Sequence, residues 1–394
     1  MKFAPRNLAL AAFAGILGGI TSSIFLISLA WVSRKQVSEP GLLYFLPVAG
    51  LLIGGLYDRF GEHAGRGTNL VIEEIHRTKT RTPGRTTPLI FFTTLLSHLF
   101  GASVGREGTA VQMGASLADQ LSRFAKISAK DRRILLQAGA AAGFAGALGA
   151  PIAGLIFGME VLARKARFET QNVLECTIAA FLAVGVNRIF HVHHTVYGSL
   201  GEFPIFSVRF LVAAAGFGLL TGLIVRTFIS LTELFGEVAK QFSKFLAVRA
   251  FCGGLMIIGL TAWFGNRASL GLGISSVQAA FNLAPDLSLP FEKLILTAVS
   301  IATGFRGGEF IPLIFMGATA ASAIAASLGV SSAFGAACGI TASFGSAARV
   351  PFALSIFAAE HFAPSFLTYA LVANGAARLV VGAEATIFPS QSRA

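Results

Sequence analysis

Residues 150–160 read APIAGLIFGME, and residues 350–360 read VPFALSIFAAE. A proline, an alanine, an isoleucine-phenylalanine pair and a closing glutamate recur at an offset of 200. Outward from each block lies a run of small residues, GAAAGFAGALG at 139–149 and GITASFGSAAR at 339–349. Further upstream, GREGTAVQMGA at 105–115 faces GGEFIPLIFMGA at 307–318, sharing a glutamate after glycine and a closing Met-Gly-Ala. Three blocks repeating in the same order divide the chain into a first half (1–192), a polar, turn-rich connection (193–204) and a second half (205–394).

The solvent of those halves follows from composition. Hydrophobic residues make up 54% of the chain and charged ones 13%, about half the charged share of an ordinary soluble domain. Leu8–Val32, the region around Val212–Ile224, and Leu294–Thr303 continuing past Glu309 are nearly free of charge and near the length that crosses about 30 Å of hydrocarbon. The first follows Lys2 and Arg6 but is too long for a signal-peptide core and lacks a cleavage site, so it reads as the first membrane helix. The fold class is therefore an all-α, polytopic membrane protein. Duplicated halves in such a protein commonly pack with inverted topology around a central site, and 44 glycines in pairs and small-xxx-small spacings predict short, tilted or broken helices.

The net charge of +12 would suggest nucleic acid in a soluble chain. Here the basic residues gather in polar breaks such as Arg77–Arg85 and Arg123–Arg133, the pattern of loops facing lipid headgroups, which excludes a nucleic-acid partner. Both clusters are comparably basic, so the bias alone does not fix orientation. Cys176, Cys252 and Cys338 stand singly in apolar surroundings and imply neither disulfides nor a metal knuckle. His191, His193 and His194 read as a solvated loop, and Glu73, Glu74 and His76 as packing and salt bridging, so no metal is expected. No nucleophile-base set, P-loop or dinucleotide fingerprint occurs in suitable context; neither an enzyme nor a cofactor is expected.

An anion inside hydrocarbon needs donors that hold it without a full opposing charge. Glycine-led helix starts supply free N–H groups and a positive dipole end. There are three: Gly65-Arg66-Gly67-Thr68-Asn69 before Leu70–Ile75, Gly105-Arg106-Glu107-Gly108 before Thr109–Gln120, and Gly307-Gly308-Glu309-Phe310 before a helix ending near Ala326. Two of them are repeat equivalents.

In these segments the chain resembles the CLC chloride channels and anion/proton exchangers, whose anion path is lined by segments written GSGIP, GREGP and GGIFAP and by a tyrosine near the C-terminus. GTNLV at 67–71, GREGT at 105–109 and GGEFIP at 307–312 look like the three, and the likeness extends through AAGFAGALGAPIAGLIFGMEV to IFPSQ at 387–391. It spans nearly the whole transmembrane chain, without a cytoplasmic regulatory domain. GREGT and a glutamate inside the third segment are most similar to the family's fluoride/proton antiporter branch.

The resemblance implies a CLC-type fold of two inverted repeats, a homodimer in a cell (inner) membrane, and export of fluoride in exchange for protons; the alternative is a chloride channel or chloride/proton exchanger. It implies Glu107 as gate and proton carrier and Glu309 as a second carboxylate on the proton or anion route. The implied anion contacts are Thr68, Asn69, Gly105, Arg106, Gly108, Gly308, Phe310 and Ile311, with Phe388 in place of the family's tyrosine. Glu160 reads as structural, because the family's inner proton glutamate falls one residue later, on Val161. His98 and Thr94, one turn apart, read as structural, hydrogen-bonded to each other or to the helix before the gate.

Overall fold

The computed structural model describes residues 5–61, 64–77, 81–161 and 169–391. Lys2 and, within the first basic cluster, residues 78–80 lie outside them. The first half holds α1 (Pro5–Ser38), α2 (Leu46–Phe60), α3 (Thr68–Arg77), α4 (Thr86–Leu99), α5 (Glu107–Ala125), α6 (Ala129–Leu148), α7 (Pro151–Glu160) and α8 (Thr170–Ile189). The second holds α9 (Val208–Phe242), α10 (Leu246–Phe264), α11 (Ile274–Ala279), α12 (Ser288–Thr303), α13 (Phe310–Ala323), α14 (Ser332–Ala347), α15 (Pro351–His361) and α16 (Leu367–Val381). Each half opens on its longest helix, 34 residues in α1 and 35 in α9. The two halves are thus two repeats of one order of helices.

Among the described residues, five segments are long and apolar enough to cross a membrane: Pro5–Ser38, Pro40–Phe60, Thr170–Ile189, Val208–Phe242 and Leu246–Phe264. At 1.5 Å per residue, α1 and α9 run to roughly 50 Å, well beyond the hydrocarbon thickness. Their outer faces carry exposed apolar side chains such as Phe13, Ile24, Leu219 and Leu223, which water would penalise and lipid accepts. The stretch from Leu294 past Glu309 is no continuous span. Gly304, at φ +110, ends α12, and α13 starts afresh at Phe310, leaving a break at mid-protein.

Inversion of the repeats is visible in one helix pair. Pro151 and Pro351 begin α7 and α15, where proline lacks an N–H that the helix could not have used. The next two N–H groups of each helix donate to the closing glutamate of the other: Ile152 and Ala153 to Glu360 (3.0 and 2.7 Å), Phe352 and Ala353 to Glu160 (3.1 and 2.8 Å). Each helix therefore ends where its repeat mate begins, so the two lie antiparallel.

Within each half, packing depends on glycine at a repeated position. A Cβ on Gly139 of α6 would stand 2.6 Å from the Gly114 carbonyl of α5, and one on Gly339 of α14 2.0 Å from the Gly317 carbonyl of α13. The helix pairs touch backbone to backbone.

The two basic clusters share a face. Asn7, at the start of α1, donates to Asp131 (2.7 Å); the Thr82 N–H donates to Asp119 (2.7 Å), and Gln120 to the Thr82 carbonyl (2.8 Å). The start of α1, the loop before α4 and the α5–α6 turn thus lie together. The ends of α1, α4 and α10 lie on the opposite face, where Arg267 donates to the Pro40 carbonyl (2.8 Å).

Candidate functional site

The two equivalent leads meet at the centre. The Gly105 N–H donates to the Gly308 carbonyl at 2.5 Å, and the Gly308 N–H returns the bond at 2.7 Å. This two-residue bridge holds the starts of α5 and α13 side by side, and only glycine permits it: a Cβ on Gly105 would lie 2.8 Å from the Gly308 carbonyl, and one on Gly308 2.8 Å from the Gly108 nitrogen. The bridge also uses the N–H groups of Gly105 and Gly308. Those two glycines position the leads and do not themselves offer donors to an ion. The donors left are the first N–H groups of the helices, at Gly108, Phe310 and Ile311, which have no acceptor one turn back.

Of these, Gly108 and Phe310 line a cavity of about 10 Å³, enough for one water-sized body, and Ile311 does not. Thr68, Glu107, Gly108, Glu309, Phe310 and Phe388 line it, together with Phe144, Phe157 and Phe344. Thr68 begins α3 after Gly67, whose φ of +62 turns the chain into the helix, and its hydroxyl lies 3.5 Å from the Gln112 amide nitrogen. A larger cavity of about 330 Å³ adjoins on the basic-loop side, with Arg66, Lys240 and Arg306 among its walls. Thr68, Glu309 and Phe388 line both cavities and form the partition between them.

Glu107 is 1% exposed, and its carboxylate accepts from the Arg106 side chain at 3.1 Å and the Arg106 N–H at 3.3 Å. Arg106 does not line the small cavity; it also donates to Thr195 (2.8 Å) in the connection between the halves, and so ties the Glu107 carboxylate to that segment. Asn69 lines the larger cavity, where its side-chain oxygen accepts from the Ser390 N–H (3.1 Å) and fixes the C-terminal segment that carries Phe388. Glu309 makes no ion pair with Arg306, which instead lies over the Tyr57 ring at 3.7 Å and donates to the Gly65 carbonyl at 3.0 Å.

Two neighbouring residues resolve differently. His98 donates to the Thr94 carbonyl (2.8 Å), while the Thr94 hydroxyl bonds Thr109 of α5 (3.0 Å), two residues after Glu107. Glu73 pairs with Arg66 and Ser390, Glu74 with Arg132, so the adjacent carboxylates diverge. Among the described residues no three His, Cys, Asp or Glu side chains gather as a metal site.

The aromatic wall is what the sequence reading missed. Phe144 stacks on Phe157 at 3.9 Å, and Phe310 meets Phe344 edge-on at 4.8 Å. Its signal was in the repeat: Phe144 and Phe344, like Phe157 and Phe357, fall at the 200-residue offset. Phenylalanine recurring at a fixed place in otherwise small-residue runs marks positions facing the shared centre.

A family model described as voltage gated chloride channel matches residues 49–382. The chain belongs to that family. It is 38% identical to a chloride/fluoride channel protein of Pseudomonas syringae pv. tomato, across 97% of this chain and 85% of that one. It is 27% identical to an H(+)/Cl(-) exchange transporter of Cronobacter sakazakii, over 80% and 72% of the two chains. Among solved structures, a CLC-type fluoride/proton antiporter superposes with a TM-score of 0.93 at 28% identity, covering 99% of both chains. A slow cyanobacterial Cl-/H+ antiporter superposes at 0.84 with 22% identity, over 96% and 95%, a likeness of fold. This family member is thus a multi-pass membrane protein.

Proposed function

We propose that the protein exports fluoride in exchange for protons. The supporting observation is that Glu107 and Glu309 face one cavity of about 10 Å³, where Gly108 and Phe310 stand at helix starts with free N–H groups and Thr68 adds a hydroxyl. A carboxylate and an anion compete for the same donors. Protonated Glu107 releases them and the anion enters; ionised Glu107 takes them back and the gate closes. The same side chain then carries the proton one way as the anion leaves the other. Glu309, shared with the larger cavity, is placed to relay that proton or to shape the anion site. A small ion that surrenders a tight hydration shell needs several close donors, and the convergence of helix starts provides them.

The basic-loop face is the cytoplasmic one by the positive-inside rule, and the 330 Å³ cavity is the vestibule facing the cell interior. The membrane is the cell's inner membrane, and the protein works as a homodimer with one path per subunit.

Chloride transport is the second reading, favoured by Thr68, which retains the hydroxyl that chloride members carry as serine. Purified protein in liposomes, followed with fluoride, chloride and pH electrodes, decides between them. Fluoride efflux exceeding chloride efflux, with protons moving inward, is the expected result; equal or faster chloride efflux overturns the fluoride assignment. Glu107→Gln abolishes proton movement if Glu107 is the gate, and unchanged coupling rejects that role.

A further inference from the structure

On the face opposite the basic loops, a second cavity of about 600 Å³ lies between the end of α1, the end of α4 and the segment before α11. Arg34 and Arg267 line it, with His98, Ser33, Leu270 and Leu272, and no acidic residue does. Beneath it, Lys293 of α12 is fully buried and donates to the Ser269 and Gly271 carbonyls at 3.1 and 2.7 Å. No carboxylate stands within ion-pair distance of that ammonium among the described residues. The cavity's lining is cationic, and the Glu292 carboxylate near it accepts from Asn266 and Ser269 at 2.7 and 3.5 Å.

One wall group lacks a partner. Because the Thr94 carbonyl can only accept, the bond to Nδ1 of His98 makes Nδ1 the donor and leaves Nε2 of the neutral ring as an acceptor. That nitrogen is buried in a residue 1% exposed and has no hydrogen bond. Ser33 presents a second unpaired oxygen on the same lining. An occupant that satisfies this wall combines negative charge with a hydroxyl hydrogen.

Position narrows its class. The chain has two tryptophans, and both are exposed at this level: Trp31, one turn before Arg34 in α1, and Trp263, near the end of α10 and four residues before Arg267. Exposed indoles at helix ends mark the headgroup zone of a leaflet. A volume of 600 Å³ with leucine in its walls far exceeds a monatomic ion and suits a head group attached to apolar chains.

We propose that this cavity binds the head group of an anionic, hydroxyl-bearing glycerophospholipid of the phosphatidylglycerol type. The phosphate lies between Arg34 and Arg267, a head-group hydroxyl donates to Nε2 of His98, and the acyl chains run down the lipid face beside Trp31. Binding is independent of whether the central site carries fluoride or chloride.

Native mass spectrometry of the detergent-solubilised protein tests it, with phosphatidylglycerol, phosphatidylcholine and inorganic phosphate as separate probes. Phosphatidylglycerol is expected to be retained at least tenfold better than phosphatidylcholine, and Arg34→Gln with Arg267→Gln to remove that preference. Both side chains are exposed, and an unchanged melting temperature in lipid-free detergent verifies that the double variant is folded. Equal retention of the two lipids, or a preference that survives the double variant, overturns the proposal. Displacement of the lipid by inorganic phosphate assigns the site to a free anion and overturns it equally.

Discussion

Glu160 and Glu360, 200 residues apart, each hold the first turn of the helix that ends in the other. The carboxylates compensate the positive end of a helix dipole and satisfy two otherwise unpaired N–H groups each. Glu160 is thus occupied in the seam between repeats. Glu160→Gln keeps one acceptor and loses the charge, an effect of about 1 kcal/mol, and Glu160→Ala loses both, up to about 2 kcal/mol. The melting temperature in detergent should fall in that order, with the proton-to-anion ratio in liposomes unchanged. A ratio that drops in Glu160→Gln would return Glu160 to the proton route.

The Gly105–Gly308 bridge leads to a steric prediction. Gly308→Ala places a methyl group 2.8 Å from the Gly108 backbone, and neither partner is a flexible side chain that can yield. Overpacking of this kind costs about 1–3 kcal/mol, here concentrated on the two leads that frame the cavity. Transport is expected to fall at least tenfold while the protein still purifies as a folded species. Gly55→Ala, with nothing within 4 Å of the added methyl, is the matched control.

Thr68 presents a separable donor. Thr68→Val preserves its shape and removes the hydroxyl, and a neutral hydrogen bond is worth about 1 kcal/mol, near fivefold in affinity. The KM for the transported anion should rise by about that factor with coupling intact. A change confined to the maximal rate would place the hydroxyl off the ion's path.

The parts legible in the sequence were those carried by local chemistry. Proline at helix starts, glycine before Thr68, Glu107 and Phe310, and the 200-residue register announced the repeats and three helix leads. What stayed hidden depended on which N–H faces which carbonyl across the molecule. Gly105 and Gly308 looked like ion donors until the bridge brought them together, and Arg106 like an anion ligand until Glu107 and Thr195 claimed it. Likewise, the two basic clusters were ambiguous as text because facing requires the Thr82–Asp119 contact, a tertiary fact.

Beneath the Thr68 lead, α3 is secured by a buried ion cluster: Arg132 of α6 bonds Asp119 of α5 at 2.6 Å and Glu74 of α3 at 3.0 Å, and all three side chains are nearly inaccessible. Removing one member of such a group strands the others without solvent and costs about 3–5 kcal/mol, whereas loss of an exposed pair such as Lys35–Glu39 costs about 0–1 kcal/mol. Asp119→Ala should therefore depress the melting temperature far more than Glu39→Ala does. Because Glu74 lies two turns from Thr68 on the same short helix, loosening Arg132 also frees that helix start. The KM for the anion is expected to rise with it, and a destabilised variant with a native KM would show that α3 is held in place by its contacts to α5 and the C-terminal segment instead.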